Sequence, residues 1–201
     1  MDKQGHNLKI GLLGGSFNPA HEGHVEISLH ALEKLQLDYI WWLVSPGNPL
    51  KKMSEMASFD LRLKSAKNIA DDPRIIVSDF EQKAGTKYTI DTISKLKEVY
   101  PDHHFVWLMG ADNLEQFDKW KSWEKIGQTV PFAIFNRPSY STASLQSPAA
   151  QYFMTNKIEE SKGHELYKMK PPAWVYIKDT HNPLSSTEIR TKSNHYKRLH
   201  T

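Results

Sequence analysis

His21 and His24 stand three apart, with Glu22 and Gly23 between them, in the stretch Lys9 to Glu26, KIGLLGGSFNPAHEGHVE. An imidazole can donate a hydrogen bond to an anion without carrying a full positive charge. Two of them at a helix entrance can be aimed at one bound phosphate. The ordinary reading of an isolated His-x-x-His is a pair of surface histidines, but this pair closes a glycine turn that directly follows an apolar run. A zinc pair fits less well: the chain has no cysteine, and the spacing is not the i, i+4 of helical zinc-binding motifs. A second set lies far downstream in Pro183-Leu184-Ser185-Ser186-Thr187-Glu188-Ile189-Arg190. Ser185 and Glu188 have capping-box spacing, so a helix is predicted from about Ser186. Its free N–H groups, with Ser186, Thr187 and Arg190, could converge on an anion.

The elements that must position these groups can be read from hydrophobic pattern. Ile10–Leu13, then Gly14, Gly15 and Pro19, then Val25, Leu29, Leu32 and Leu35 at helical spacing read as strand, tight loop and helix. Further strands are predicted at 39–44 (YIWWLV), 75–77, 105–109 (FVWLM), 132–135 (FAIF) and 174–177. Helices are predicted with Phe59, Leu63, Ala66 and Ala70 on one face and Arg62 and Lys64 on others, and across 89–99, where Ile90, Ile93 and Leu96 align. Strands alternating with helices imply an α/β fold, a Rossmann-like, doubly wound, mainly parallel sheet of about six strands. In such sheets ligands bind beyond the carboxyl ends of strands. That rule draws attention to Asn48, Lys51 and Lys52 after the second strand, and to Gly110 and Asp112 after the fourth. Residues 139–150 (SYSTASLQSPAA) are small and polar and read as a mobile surface loop. The segment 151–170 could add a helix or an insertion, and carries no evident chemistry.

At 201 residues the chain suits a single domain, 1–201, with a sizeable core. The absence of cysteine excludes disulfides and thiol chemistry, and the expected location is the cytoplasm. No apolar run approaches the roughly 18 residues of a membrane span, and MDKQGHNLK lacks the apolar centre of a signal peptide. With 26 basic and 23 acidic side chains the net charge is +3, too balanced to argue for nucleic acid. Neither a membrane nor a nucleic acid is an expected partner.

GGSFNPAHEGH resembles the signature of the nucleotidylyltransferase superfamily, a glycine-rich turn ending in His-x-Gly-His, with Ser16 and Asn18 where Thr and Asp are common. SSTEIR resembles the second signature of the same superfamily, which holds the triphosphate of ATP. KYTIDT, from Lys87, and FVWLMGADNLEQFDKWKSWEKI resemble blocks of its nicotinate-nucleotide adenylyltransferase branch. The resemblance implies the nucleotidylyltransferase fold and adenylyl transfer from ATP to nicotinate mononucleotide, forming deamido-NAD and pyrophosphate. It implies His21, His24 and Arg190 as catalytic residues, and ATP contacts from Gly14, Gly15, Ser16, Phe17, Gly110, Asp112, Ser185, Ser186 and Thr187 as well. Asn18, Lys51, Tyr88, Thr89 and Trp120 would face the mononucleotide, with the indole of Trp120 stacked on the pyridine ring; Trp123 is read as packing. Where relatives carry Pro-His-Lys this chain has Asn48-Pro49-Leu50-Lys51-Lys52, so either lysine could contact the phosphate, with Lys51 favoured. Mg²⁺ is the implied cofactor, bound mainly through ATP phosphates with no dedicated metal ligands. A homo-oligomer is possible. Alternatives are an adenylyltransferase acting on nicotinamide mononucleotide or phosphopantetheine, a non-catalytic nucleotide-binding module, and an RNA-binding protein.

Overall fold

The computed structural model describes residues 7–47, 56–136 and 141–178, the side chains of 141 and 142 excepted. Seven strands form one sheet in the order β3-β2-β1-β4-β5-β7-β6: β1 Lys9–Gly15, β2 Tyr39–Val44, β3 Ile75–Ser78, β4 His104–Gly110, β5 Phe132–Phe135, β6 Lys157–Ile158 and β7 Trp174–Ile177. Every pairing is parallel. The helices are α1 Glu22–Lys34, α2 Phe59–Ile69, α3 Phe80–Ala84, α4 Thr89–Val99, α5 Ala111–Leu114, α6 Trp123–Thr129, α7 Ser141–Leu145 and α8 Pro148–Tyr152, with 3₁₀ segments at Phe117–Lys119, Met154–Asn156 and Glu160–Lys168.

The strands are continuous apolar runs because both faces of the sheet are covered. Alternation divides them into two cores. Ile10, Leu12, Trp41, Leu43, Phe105, Trp107, Phe132, Ile134 and Trp174 pack with Ile93 and Leu96 of α4 and Ile126 of α6. Leu13, Ile40, Trp42, Val44, Val106, Leu108, Phe135 and Val175 pack with Ile27, Ala31 and Leu32 of α1 and Ala66 of α2. This is the doubly wound architecture, and it fixes where a ligand can sit. The chain runs outward from β1 to β2 and β3 on one side, and through β4 to β5 on the other. The order reverses between β1 and β4, so the crevice lies beyond Gly15 and Gly110, their last residues.

Three sequence expectations change. The sheet has seven strands rather than about six; β6 spans two residues, too short for any period to register. Residues 141–150, read as a mobile loop, instead contribute α7 and the start of α8. Ser147 caps α8 by accepting from the amide of Ala150, and Ser144, Ala149 and Ala150 are buried; the small side chains allow close packing here rather than solvation. Arg62, placed away from the apolar stripe of its helix, lies on the buried face and is 2% exposed.

Candidate active site at the β1–β4 switch point

The turn after β1 is built by sterics more than by glycine freedom. Gly14 lies within the strand, and a Cβ there would come 2.4 Å from Cη2 of Trp107; the missing side chain makes room for that indole. The reversal is made by Phe17, in left-handed backbone at φ 45°, before a cis Asn18–Pro19 bond. This conformation carries the Phe17 ring into the core, 1% exposed. There it stacks on Trp42 at 5.0 Å and tilts against His24 at 4.7 Å. Phe17 therefore supports the site from below with its side chain. Asn18 is likewise buried, and its Oδ1 accepts from the amide of Ala57 at 3.1 Å. Asn18, which the resemblance implies for the mononucleotide, uses this oxygen to fasten the residue just before the α2 cap.

His21 is the N-cap of α1. Its Nδ1 accepts from the Gly23 amide at 3.1 Å, and Nδ1 of His24 accepts from the His21 amide at 3.2 Å. The two rings satisfy orphan donors at a helix start, with centroids 3.9 Å apart. Because each Nδ1 is an acceptor, the ring proton of each neutral imidazole sits on Nε2. The fold thus selects a pair of Nε2–H donors beside the N-terminus of a 13-residue helix, where partial positive charge already favours an anion. The helix itself is tied to the sheet by a relay: the indole N–H of Trp42 donates to Ser28 Oγ at 2.7 Å, which donates to the His24 carbonyl at 2.8 Å.

Across the switch point, Gly110 is buried at the end of β4 and caps α5, with Asp112 in its first turn. The next segment sets Trp120 nearly perpendicular to Phe117, with centroids 5.4 Å apart, and to Trp107 at 6.3 Å, leaving it half-buried. Trp123 meets Phe117, Tyr152 and Phe153 at 5.0–6.2 Å, a packing role as the sequence suggested. Tyr88 caps α4, so Thr89 is its first residue. The two aromatic stretches meet through Lys121: its ammonium lies 4.1 Å from the Tyr88 ring centroid and 3.9 Å from Asp91 Oδ2. Lys121, which follows Trp120 in the chain, thus touches Tyr88, the residue before Thr89. Lys51, Ser185, Ser186, Thr187 and Arg190 lie outside the described residues, as do Asn48 and Lys52.

Two groups near the site escaped the sequence reading. Glu81 in α3 is buried, and its Oε1 accepts from Thr92 Oγ1 at 3.2 Å. Burial pushes its carboxyl up to about 7, against the lesser, opposing effect of the Thr92 hydrogen bond. With Pro46, Gly47, Thr86 and Lys87 it lines a cavity of about 350 Å³, beside Tyr88 but apart from the histidine pair. The other is Arg62, whose guanidinium reaches the loops after β1 and β2. Its burial, though not its partners, had a local signal: position 62 is three after Phe59 and four before Ala66, on the same helical face.

The cytidylyltransferase-like family model matches residues 12–192. A "Probable nicotinate-nucleotide adenylyltransferase" of Parvibaculum lavamentivorans is 48% identical over 185 residues, 92% of each chain. One of the same name from Agrobacterium fabrum is 45% identical over 188 residues, 94% of this chain and 100% of that one. The chain belongs to the nicotinate-nucleotide adenylyltransferase family. Among solved structures, Plasmodium falciparum nicotinic acid mononucleotide adenylyltransferase complexed with NaAD shares the fold, with TM-score 0.67 and 21% identity over 96% of this chain and 89% of that one. The first of the two signature-like stretches is the capped turn after β1; the second, 183–190, lies outside the described residues. No helix among the described residues is long and apolar enough to cross a membrane.

Proposed function

We propose that this protein transfers the adenylyl group of ATP to nicotinate mononucleotide, releasing pyrophosphate and forming deamido-NAD. The observation that carries the reading is the reciprocal cap of His21 and His24, which orients two Nε2–H donors at the sheet's switch point. The names of the relatives agree with it.

An oxygen of the mononucleotide phosphate attacks the α-phosphorus of ATP, and the bond from that phosphorus to the oxygen bridging to the β-phosphate breaks. The nucleophile is already anionic, so no base is required. The protein must align two anions, offset their repulsion and stabilise charge on the departing pyrophosphate. His21 and His24 donate to α- and β-phosphate oxygens. Ser185, Ser186, Thr187 and Arg190 hold the outer phosphates, as the second signature implies. Trp120 offers a face to the pyridine ring, and the N-terminus of α4 at Thr89 offers amides to its carboxylate. The ammonium of Lys121, over the ring of Tyr88 and 3.9 Å from Asp91 Oδ2, would favour the acid over the amide. The histidine pair offers hydrogen-bond donors rather than metal lone pairs, and no group of three or more metal-ligating side chains occurs among the described residues. That donor set fits Mg²⁺ held through the substrate's phosphates, where it would neutralise charge.

The test is pyrophosphate release from ATP and Mg²⁺ with nicotinate mononucleotide, nicotinamide mononucleotide or phosphopantetheine as acceptor. Release fastest with the first supports the reading. Preference for another acceptor reassigns the substrate, and no release with any leaves a nucleotide-binding module.

A further inference from the structure

The geometry points to Arg62 as a positioning residue that sets the separation of the turns after β1 and β2, the first of which carries the histidine pair. Its guanidinium is almost wholly buried and donates to four main-chain carbonyls: Nη1 to Ser16 and to Ser45, each at 2.7 Å, Nε to Ala57 at 3.0 Å and Nη2 to Pro46 at 3.2 Å. Ser16 is the first residue beyond β1 and precedes Phe17, which packs on His24. Ser45 and Pro46 are the first residues beyond β2, in the loop that leads on to Lys51. Ala57 precedes the Ser58 N-cap of α2 and is held twice, its amide by Asn18 and its carbonyl by Arg62. One planar group therefore fastens the turn after β1, the turn after β2 and the residue before the α2 cap.

Burying a guanidinium is expensive, and an apolar side chain of similar volume would usually serve stability as well. What an apolar group cannot do is fix three carbonyl-bearing segments by direction. Lysine cannot replace the fan of donors either, since its ammonium is a point charge without the guanidinium's rigid fork. Directional fastening matters for a reaction that consists largely of aligning two anions, where misplacement by about 1 Å costs on the order of 100-fold in rate. The inference rests on the adenylyl-transfer reading for its kinetic consequence, though not for its structural one.

The experiment compares wild type with Arg62→Lys, Arg62→Met and, as a control on the same helix, Leu63→Ala. Melting temperature, steady-state kinetics and amide hydrogen exchange are measured for each. Arg62→Lys is expected to lower kcat by about 10- to 100-fold while leaving both KM values within about threefold, and Arg62→Met to do so more severely. Exchange should quicken together at 16–18 and 45–47 and stay unchanged in β1 and β2. Leu63→Ala, destabilised to a comparable degree, should retain kcat. Several results would overturn the proposal: kcat within about threefold of wild type in Arg62→Lys, a loss confined to KM, an equal loss in Leu63→Ala, or failure of both arginine variants to fold. If wild type releases no pyrophosphate with any acceptor, the activity reading fails, and the exchange data alone decide whether Arg62 couples the loops.

Discussion

At the scale of single residues, the proposed reaction turns on the tautomers of two histidines. Nδ1 of both His21 and His24 accepts within the helix cap, which puts the ring proton on Nε2; the proposed reaction uses that N–H. His24→Ala removes one donor to the phosphates and one cap. Loss of a preorganised donor to developing charge lowers kcat by about 100-fold, roughly 3 kcal/mol, whereas loss of a cap costs stability of about 1 kcal/mol. Steady-state kinetics on a variant shown folded by its melting transition separate the two; near-normal kcat would remove His24 from the reaction. Trp120 gives a contrasting expectation. It stands nearly perpendicular to Trp107 and Phe117 and is half-buried; the proposed role is to stack on the pyridine ring. Trp120→Ala should raise KM for the mononucleotide about tenfold, consistent with stacking worth about 1.4 kcal/mol, and barely move KM for ATP. Equal rises in both would mark a packing residue.

At the scale of elements, α1 is more than a scaffold, because its hydroxyl at Ser28 links the buried Trp42 indole to the carbonyl of His24. Ser28→Ala leaves the Trp42 N–H unsatisfied in the core, which should cost about 1–3 kcal/mol in urea unfolding. Restoration of stability in Ser28→Ala/Trp42→Phe, which removes donor and acceptor together, would confirm the relay; additive losses would refute it. This link was invisible in the sequence, as the reasons for the other successes and failures make plain. The strands 39–44, 132–135 and 174–177 could be bounded because burial on both faces leaves no polar interruption, and 89–99 because its apolar stripe is regular. The histidine turn could be placed because motif and strand-end geometry agree. Polar residues with tertiary roles were harder. Ser28, Glu81 and Arg62 act through partners 14, 11 and up to 46 positions away, and no local period encodes such distances. The residues 141–150 misled because small polar side chains suit both loops and tightly packed short helices.

At the scale of the whole molecule, Glu81 should leave its mark on how stability depends on pH. Its carboxyl is buried between α3 and α4, and burial raises it from an ordinary 4.5 to about 7. The folded state therefore holds this proton in a range where the unfolded chain has released it. The stabilisation is fully present below pH 4.5 and is lost as pH rises through about 7. A shift of this size corresponds to about 3 kcal/mol. Glu81→Gln supplies a neutral group that can still meet Thr92 but does not titrate. In urea unfolding the variant should match wild type near pH 4 and exceed it by about 3 kcal/mol near pH 8.5, where wild type must carry a buried charge. Taking the difference between the two proteins cancels the contributions of the histidines and other acids that both share. A difference that stays flat from pH 4 to 8.5 would mean that Glu81 titrates alike in the folded and unfolded chains. The neutral acid also stands directly before Thr86 and Tyr88, whose segment it holds through Thr92, the hydroxyl of which donates to Glu81 and also contacts Thr86. If its ionisation loosens that segment, KM for the mononucleotide in wild type should climb between pH 6 and 8 and that climb should be absent in Glu81→Gln, while KM for ATP follows the same course in both.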